Sequence, residues 1–157
     1  MLGQLGIFVI LLLGIFLMFL GIPALGRTRN REVKRVRLLG SAEVLFNDGR
    51  TAYWKKKYQE AIRLLKQAAI LKPERAMIHY YLGLSYTALG DFEEAEKAYR
   101  DALRRDPKNN TVWSELGDLY RKLNRREDAG KAYQQALQIK PDLAIALRIR
   151  RYETYTN

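Results

Sequence analysis

Pro73, Pro107 and Pro141 are equally spaced, and the same interval returns in the residues that precede each of them. A fixed recurrence of this length restricts the chain to a stack of like units, each too small to bury its apolar face except against a neighbour. In the third unit the recurring positions are Trp113, Leu116, Gly117, Tyr120, Ala129, Tyr133 and Ala136, followed by Pro141. The second unit carries Leu82, Gly83, Tyr86, Gly90, Phe92, Ala95, Tyr99 and Ala102 before Pro107, with His79 in place of the tryptophan. Steps of three and four between apolar residues put them on one face of a helix, so each unit reads as two antiparallel helices. Gly83 and Ala95 are small where those helices should approach, and Leu82, Tyr86 and Tyr99 fill the space between them. The prolines keep the residue before them out of the helical region and so separate one unit from the next. Gly90 is expected in the left-handed conformation at the turn inside its unit, and Asn124 likewise in the next.

The order Trp-x2-Leu-Gly-x2-Tyr, then Ala-x3-aromatic-x2-Ala and proline, resembles the tetratricopeptide repeat. The first unit resembles it less: Tyr58, Ala61, Ala68 and Pro73 fit, but Leu45, Asp48, Gly49 and Ala52 stand where Trp, Leu, Gly and Tyr are typical. Terminal repeats commonly deviate because one face meets no neighbour. The fold class implied is all-α, an N-terminal transmembrane helix followed by a right-handed superhelix of three repeats at 42–75, 76–109 and 110–143. Residues 144–157 are expected to be a capping helix and tail, with Leu143, Ala146, Leu147 and Ile149 on its apolar face. The run Lys55, Lys56 and Lys57 falls in the turn of the first repeat.

The resemblance implies that the first helix of each repeat lines a concave groove holding an extended or helical segment of a partner protein. The matching positions are Phe46, Asn47, Arg50 and Tyr53, then Met77, Tyr80, Tyr81, Leu84 and Thr87, then Thr111, Ser114, Glu115, Asp118 and Arg121. Phe46, Tyr53, Met77, Tyr80 and Leu84 are expected to form an exposed aromatic and apolar patch, the type of side chain that dominates binding energy at interfaces. A subgroup of the family clamps the C-terminal carboxylate of chaperones with lysines, asparagines and an arginine. At those positions this chain has Phe46, Arg50, Tyr81, Thr111 and Glu115, so only Arg50 could neutralise a carboxylate and Glu115 would repel one.

Residues 1–26 contain no charged side chain. From Leu2 to Leu25 a helix reaches roughly 35 Å at about 1.5 Å per residue, enough to cross a hydrocarbon core of about 30 Å, and Pro23 should end or kink it. Residues 27–41 follow as a basic juxtamembrane helix or linker, in which Arg27, Arg29, Arg31, Lys34, Arg35 and Arg37 face only Glu32. Next to an apolar span such a run suits anionic lipid headgroups, at about 1 kcal/mol for each basic residue near the surface. With no charge before the span and six cations after it, the N-terminus is expected outside or lumenal and the repeats cytoplasmic or stromal, in a thylakoid or bacterial inner membrane. The alternative is a cleaved signal leaving an exported periplasmic or lumenal adaptor; the charges lie on the wrong side of the apolar stretch for that.

Cysteine is absent, which excludes disulfide frameworks, thiol nucleophiles and cysteine-based zinc sites. His79 is the only histidine, and it occupies a packing position without a nucleophile or ligand set around it. No enzyme activity, metal, cofactor or small-molecule substrate is expected. Of the net charge of +11, +5 lies in the stretch from Arg27 to Arg37, and that this densest run abuts the apolar segment argues for lipid rather than nucleic acid. The plan resembles the small one-span tetratricopeptide proteins that help assemble photosystem I in cyanobacteria and plastids. It also resembles anchored regulators of lipopolysaccharide assembly, although those carry a cysteine metal domain. The implied function is a membrane-anchored scaffold or assembly factor that binds subunits of a membrane complex.

Overall fold

A computed structural model describes residues 40–147, and the regular structure among them is entirely helical. The helix α1 occupies residues 40–54, followed by α2 (Tyr58–Leu71), α3 (Ala76–Leu89), α4 (Phe92–Arg105), α5 (Asn110–Lys122), α6 (Arg126–Ile139) and a short α7 at residues 143–147. Residues 1–39 and 148–157 lie outside the described part. With them go the predicted membrane anchor, the basic residues Arg27, Arg29, Arg31, Lys34, Arg35 and Arg37, and the end of the predicted cap. Among the described helices, none is long and apolar enough to cross a membrane.

The turn inside each helix pair is built the same way three times. Lys56, Gly90 and Asn124 have φ of 59°, 86° and 58°, the left-handed region expected for the last two. Directly after them, Lys57 N–H donates to Ala52 O at 2.9 Å, Asp91 N–H to Tyr86 O at 3.0 Å and Arg125 N–H to Tyr120 O at 2.9 Å. These bonds close the first helix of each pair by capping carbonyls that the helix itself leaves open. The second helices end alike, with Lys72, Asp106 and Lys140 donating to the carbonyls of Ala68, Ala102 and Ala136.

Small residues set the distance between paired helices. A Cβ on Gly49 would lie 2.8 Å from Leu65, one on Gly83 2.5 Å from the Tyr99 ring, and one on Gly117 2.6 Å from the Tyr133 ring. The first pair therefore keeps the glycine contact although most of its other signature residues have drifted. Ala61, Ala95 and Ala129 are buried at one level and Ala68, Ala102 and Ala136 at the next, so one face of each second helix is lined by methyl groups. Within pairs, α3 packs on α4 and α5 on α6; the pairs are joined through α2 on α3 and α4 on α5. The buried set runs without interruption from Phe46 to Ile145.

The end of the array differs from expectation in register. Asp142 starts α7 by accepting the N–H of Ala144 at its Oδ1 (2.8 Å) and that of Ala146 at its backbone carbonyl (3.0 Å). With the helix begun there, Ile145 is the side chain turned into the core, while Leu143 and Leu147 are exposed.

Candidate protein-binding surface

The position of the signature tryptophan shows how the first helices are held. In the third repeat Trp113 Nε1 donates to the carbonyl of Pro107 at 2.9 Å. In the second, His79 Nε2 donates to the carbonyl of Pro73, also at 2.9 Å. His79 is buried, and burial, followed by the charges of Arg105 and Arg104, holds its pKa below the ordinary imidazole value. The Arg105 guanidinium also donates to Pro73 O. The histidine is thus a packing element with one directed hydrogen bond, tied to the loop between repeats.

The residues expected in the groove divide into two groups. Phe46 is a correction: it is only 3% exposed and is not a free contact residue. Its ring meets the edge of Tyr81 at a centroid distance of 5.9 Å, and the Arg75 guanidinium carbon lies 3.9 Å from its centroid. Arg75 is itself held by Glu43, whose carboxyl is kept below the usual carboxylate range chiefly by that hydrogen bond. Phe46 is enclosed because the loop after α2 folds a cation over it, a contact that helical periodicity within α1 does not reveal. Ser114 is a second correction, being buried in α5. Thr87 lies 3.2 Å from the Tyr99 hydroxyl, and Asp118 accepts from the Tyr133 hydroxyl at 2.6 Å and pairs with Arg121 at 3.6 Å. These three polar side chains brace the repeat as well as facing outward.

Tyr53, Tyr80 and Leu84 are half-buried against the core, and Met77 is 37% exposed. Tyr53 and Tyr80 both pack edge-on to Tyr81, at 5.7 Å and 5.3 Å. They form a continuous aromatic surface across α1 and α3. Arg50 is exposed, its guanidinium 5.7 Å from the Phe46 centroid. Sequence reasoning missed the part played by Tyr81, which is buried and joins Phe46, Tyr53 and Tyr80; the run of adjacent tyrosines was its only signal.

A cleft of about 1020 Å³ opens elsewhere, lined by residues of α4, α5 and α6 that include Trp113, Leu116, Glu96 and Arg104. None of the expected groove residues lines it. Four of its charges pair with one another: Arg100 with Glu96 at 2.9 Å, and Arg104 with Asp101. Glu96 also accepts from the Tyr120 hydroxyl at 2.9 Å and from Arg125 at 2.6 Å, which fastens the second repeat to the turn of the third. This wall joins repeats through paired charges, whereas the tyrosine surface joins the first two through ring contacts and leaves Met77 exposed and Tyr53, Tyr80 and Leu84 partly so.

Stacked helix pairs on one fixed interval, presenting a surface built from the first helix of each pair, define a helical-repeat protein-interaction scaffold. The tetratricopeptide-repeat model matches residues 46–110 and 82–144, and the chain belongs to that family. Among solved structures it is similar to the Arabidopsis OM64 TPR domain, with 22% identity and a TM-score of 0.72 over 75% of this chain and 98% of that one. The first TPR of Spaghetti (RPAP3) bound to HSP90 peptide SRMEEVD gives 22% identity and a TM-score of 0.71 over 74% and 94% of the two chains. The Sgt2 TPR domain from Aspergillus fumigatus gives 24% and 0.68, over 73% and 78%. At these identities the likeness is one of fold. No curated protein matches the chain.

Proposed function

We propose that this protein is a membrane-anchored scaffold whose repeats bind subunits of a membrane protein complex and aid its assembly or stability. The observation that carries the reading is the half-buried tyrosine surface formed by Tyr53 and Tyr80 around Tyr81, beside Met77 and Leu84 on the first helices of a repeat family built for protein binding. The anchor comes from the uncharged stretch 1–26 and the basic run after it. An anchored array of three repeats reaches only targets at the bilayer, and anchoring raises the effective concentration of the groove around them, so modest affinity suffices. Photosystem I assembly is the process whose small one-span tetratricopeptide proteins this plan resembles.

Chaperone tails are the rival occupant, since the RPAP3 domain is described with an HSP90 peptide. This chain disfavours them: where such a tail would meet cations and amides it has buried Phe46 and Tyr81, and Glu115. The test is a mild-detergent pull-down of the tagged full-length protein from its native membranes, beside a form starting at Arg27, with co-purifying chains identified by mass spectrometry. Subunits of one membrane complex should be enriched with the full-length protein. Recovery of soluble proteins alone, or a mature N-terminus near Gly26, would replace the anchored scaffold with an exported or soluble adaptor.

A further inference from the structure

The turn between α1 and α2 differs in composition from the two turns that share its backbone geometry. The later turns read Ala88, Leu89, Gly90, Asp91 and Lys122, Leu123, Asn124, Arg125; the first reads Trp54, Lys55, Lys56, Lys57. Each of these lysines stands where the fold favours another residue. Lys55 takes the place of a leucine that, as Leu123 in the third repeat, packs against the core. Lys56 has a φ of 59°, a conformation that Gly90 and Asn124 tolerate better. Lys57 precedes α2 without a side-chain capping bond, at the helix end where the backbone dipole disfavours a cation.

The same four side chains are open to solvent. Trp54 is 69% exposed, the one exposed aromatic ring among the described residues, and the three lysines beside it are exposed as well. Tyr53 holds the indole edge-on at a centroid distance of 5.3 Å. Trp113 donates its Nε1–H to Pro107, whereas the indole N–H of Trp54 has no acceptor among the described residues. Lys57 pairs with Glu60 at 3.6 Å through exposed side chains, and Lys55 and Lys56 form no ion pair among the described residues. A large ring left in water, beside cations held against local stability, marks a surface that acts on something outside the array. Three lysines against Glu60 leave the turn with a charge of +2, which complements phosphate groups. An indole with an apolar body and a free N–H suits the boundary between headgroups and acyl chains. An acidic peptide would meet the lysines and leave the indole in water.

We propose that the α1–α2 turn docks on the surface of an anionic bilayer, with the Trp54 indole among the headgroups and Lys55, Lys56 and Lys57 on lipid phosphates. The inference goes beyond the anchored scaffold and rests on that reading only for keeping the turn near a membrane. This contact is separate from the uncharged stretch and the basic run at the N-terminus, and it would hold the array in one orientation on the bilayer.

The experiment reads Trp54 fluorescence from the full-length protein in lipid nanodiscs. Every sample carries Trp113→His, which leaves Trp54 as the only indole; His79 shows that an imidazole makes the bond to the preceding proline carbonyl. One set of discs is phosphatidylcholine alone, the other is mixed with phosphatidylglycerol, and both contain brominated lipid as a quencher. In the anionic discs the emission should shift to the blue and be quenched, and in phosphatidylcholine discs it should stay that of an indole in water. Lys56→Gly with Lys57→Asp gives the first turn the residue types of Gly90 and Asp91. It should raise the melting temperature while lowering the ratio of docked to free turn in anionic discs about thirtyfold, or about 2 kcal/mol for two basic residues. A lost fold therefore cannot pass for a lost contact. Trp54 in water in both discs, or equal quenching in both, overturns the inference and leaves the scaffold reading standing, because the protein still travels with the discs. A shift with poly-glutamate but not with anionic discs assigns the turn to an acidic protein and overturns it as well. Should the protein travel apart from the discs, the anchored scaffold fails, and the same quenching read with free vesicles of the two compositions decides the inference by itself.

Discussion

His79 Nε2 lies 2.9 Å from the carbonyl oxygen of Pro73, the distance at which Trp113 Nε1 meets the carbonyl of Pro107 one repeat later. An imidazole has taken over the directed hydrogen bond of an indole, and with it a titration that an indole lacks. Burial and the neighbouring Arg105 and Arg104 lower the folded pKa of His79. The unfolded chain takes up its proton near an ordinary pKa of about 6.5, so below that pH the unfolded state binds more protons than the folded one. The stabilisation is present above about pH 6.5 and is lost as pH falls toward the lowered folded value. Thermal melts stepped from pH 7.5 to 5.5 should show a falling Tm for the wild type. His79→Trp should flatten that slope while keeping the bond to Pro73.

The close approach of paired helices at Gly83 and Gly117 leads to opposite outcomes for one kind of substitution. Gly83→Ala puts a methyl 2.5 Å from the buried Tyr99 ring, and Gly117→Ala one 2.6 Å from the buried Tyr133 ring. Neither ring has room to retreat, so each change should destabilise by about 1–3 kcal/mol through overpacking. Gly130 lies inside α6, and a Cβ there meets nothing within 4 Å. Gly130→Ala should therefore stabilise by about 0.5–1 kcal/mol, the ordinary helix preference for alanine. Urea unfolding of the three variants distinguishes packing from propensity by sign.

Lys56 shares the left-handed conformation of Gly90 and Asn124, with φ of 59°, yet its side chain has none of their tolerance for that region. The bond from Lys57 N–H to Ala52 O at 2.9 Å requires the turn and holds the lysine in it. Lys56→Gly should stabilise the first repeat by about 1 kcal/mol, and Gly90→Ala should destabilise the second by about 1–2 kcal/mol. Calorimetric Tm values of the two variants, moving in opposite directions from the wild type, check both.

The features legible in the sequence are those on which the repeat interval and local backbone chemistry agree. Gly90 and Asn124 declare their left-handed turns, and Gly83 the helix approach, because few residues can do either. His79 is legible as a packing residue because it occupies the tryptophan position. The left-handed Lys56 is not, since its conformation is imposed by the turn and not invited by the residue. Ile145 is hidden because the start of α7 at Asp142 decides which side of a very short helix faces inward. Phe46 escapes for a related reason: its cover comes from Arg75, beyond the end of α2, and helical periodicity describes only one element at a time.

That enclosure separates stability from binding at two positions expected to act together. Phe46 sits between the Arg75 guanidinium and the Tyr81 edge, so Phe46→Ala leaves a cavity and an uncovered cation and should lose about 3–5 kcal/mol. At a temperature where the variant is still folded, its recovery of partner from membranes should be close to that of the wild type. Met77 is 37% exposed and Leu84 half-buried at the surface of α3, so changing both to serine removes apolar contact area while creating little cavity. The double variant should lose about 1 kcal/mol of stability or less and most of its partner recovery. Circular dichroism melts and quantitative pull-downs on the same two samples read both quantities. If Phe46→Ala lost the partner while folded and the serine pair kept it, the tyrosine surface on α1 and α3 would not be the docking face.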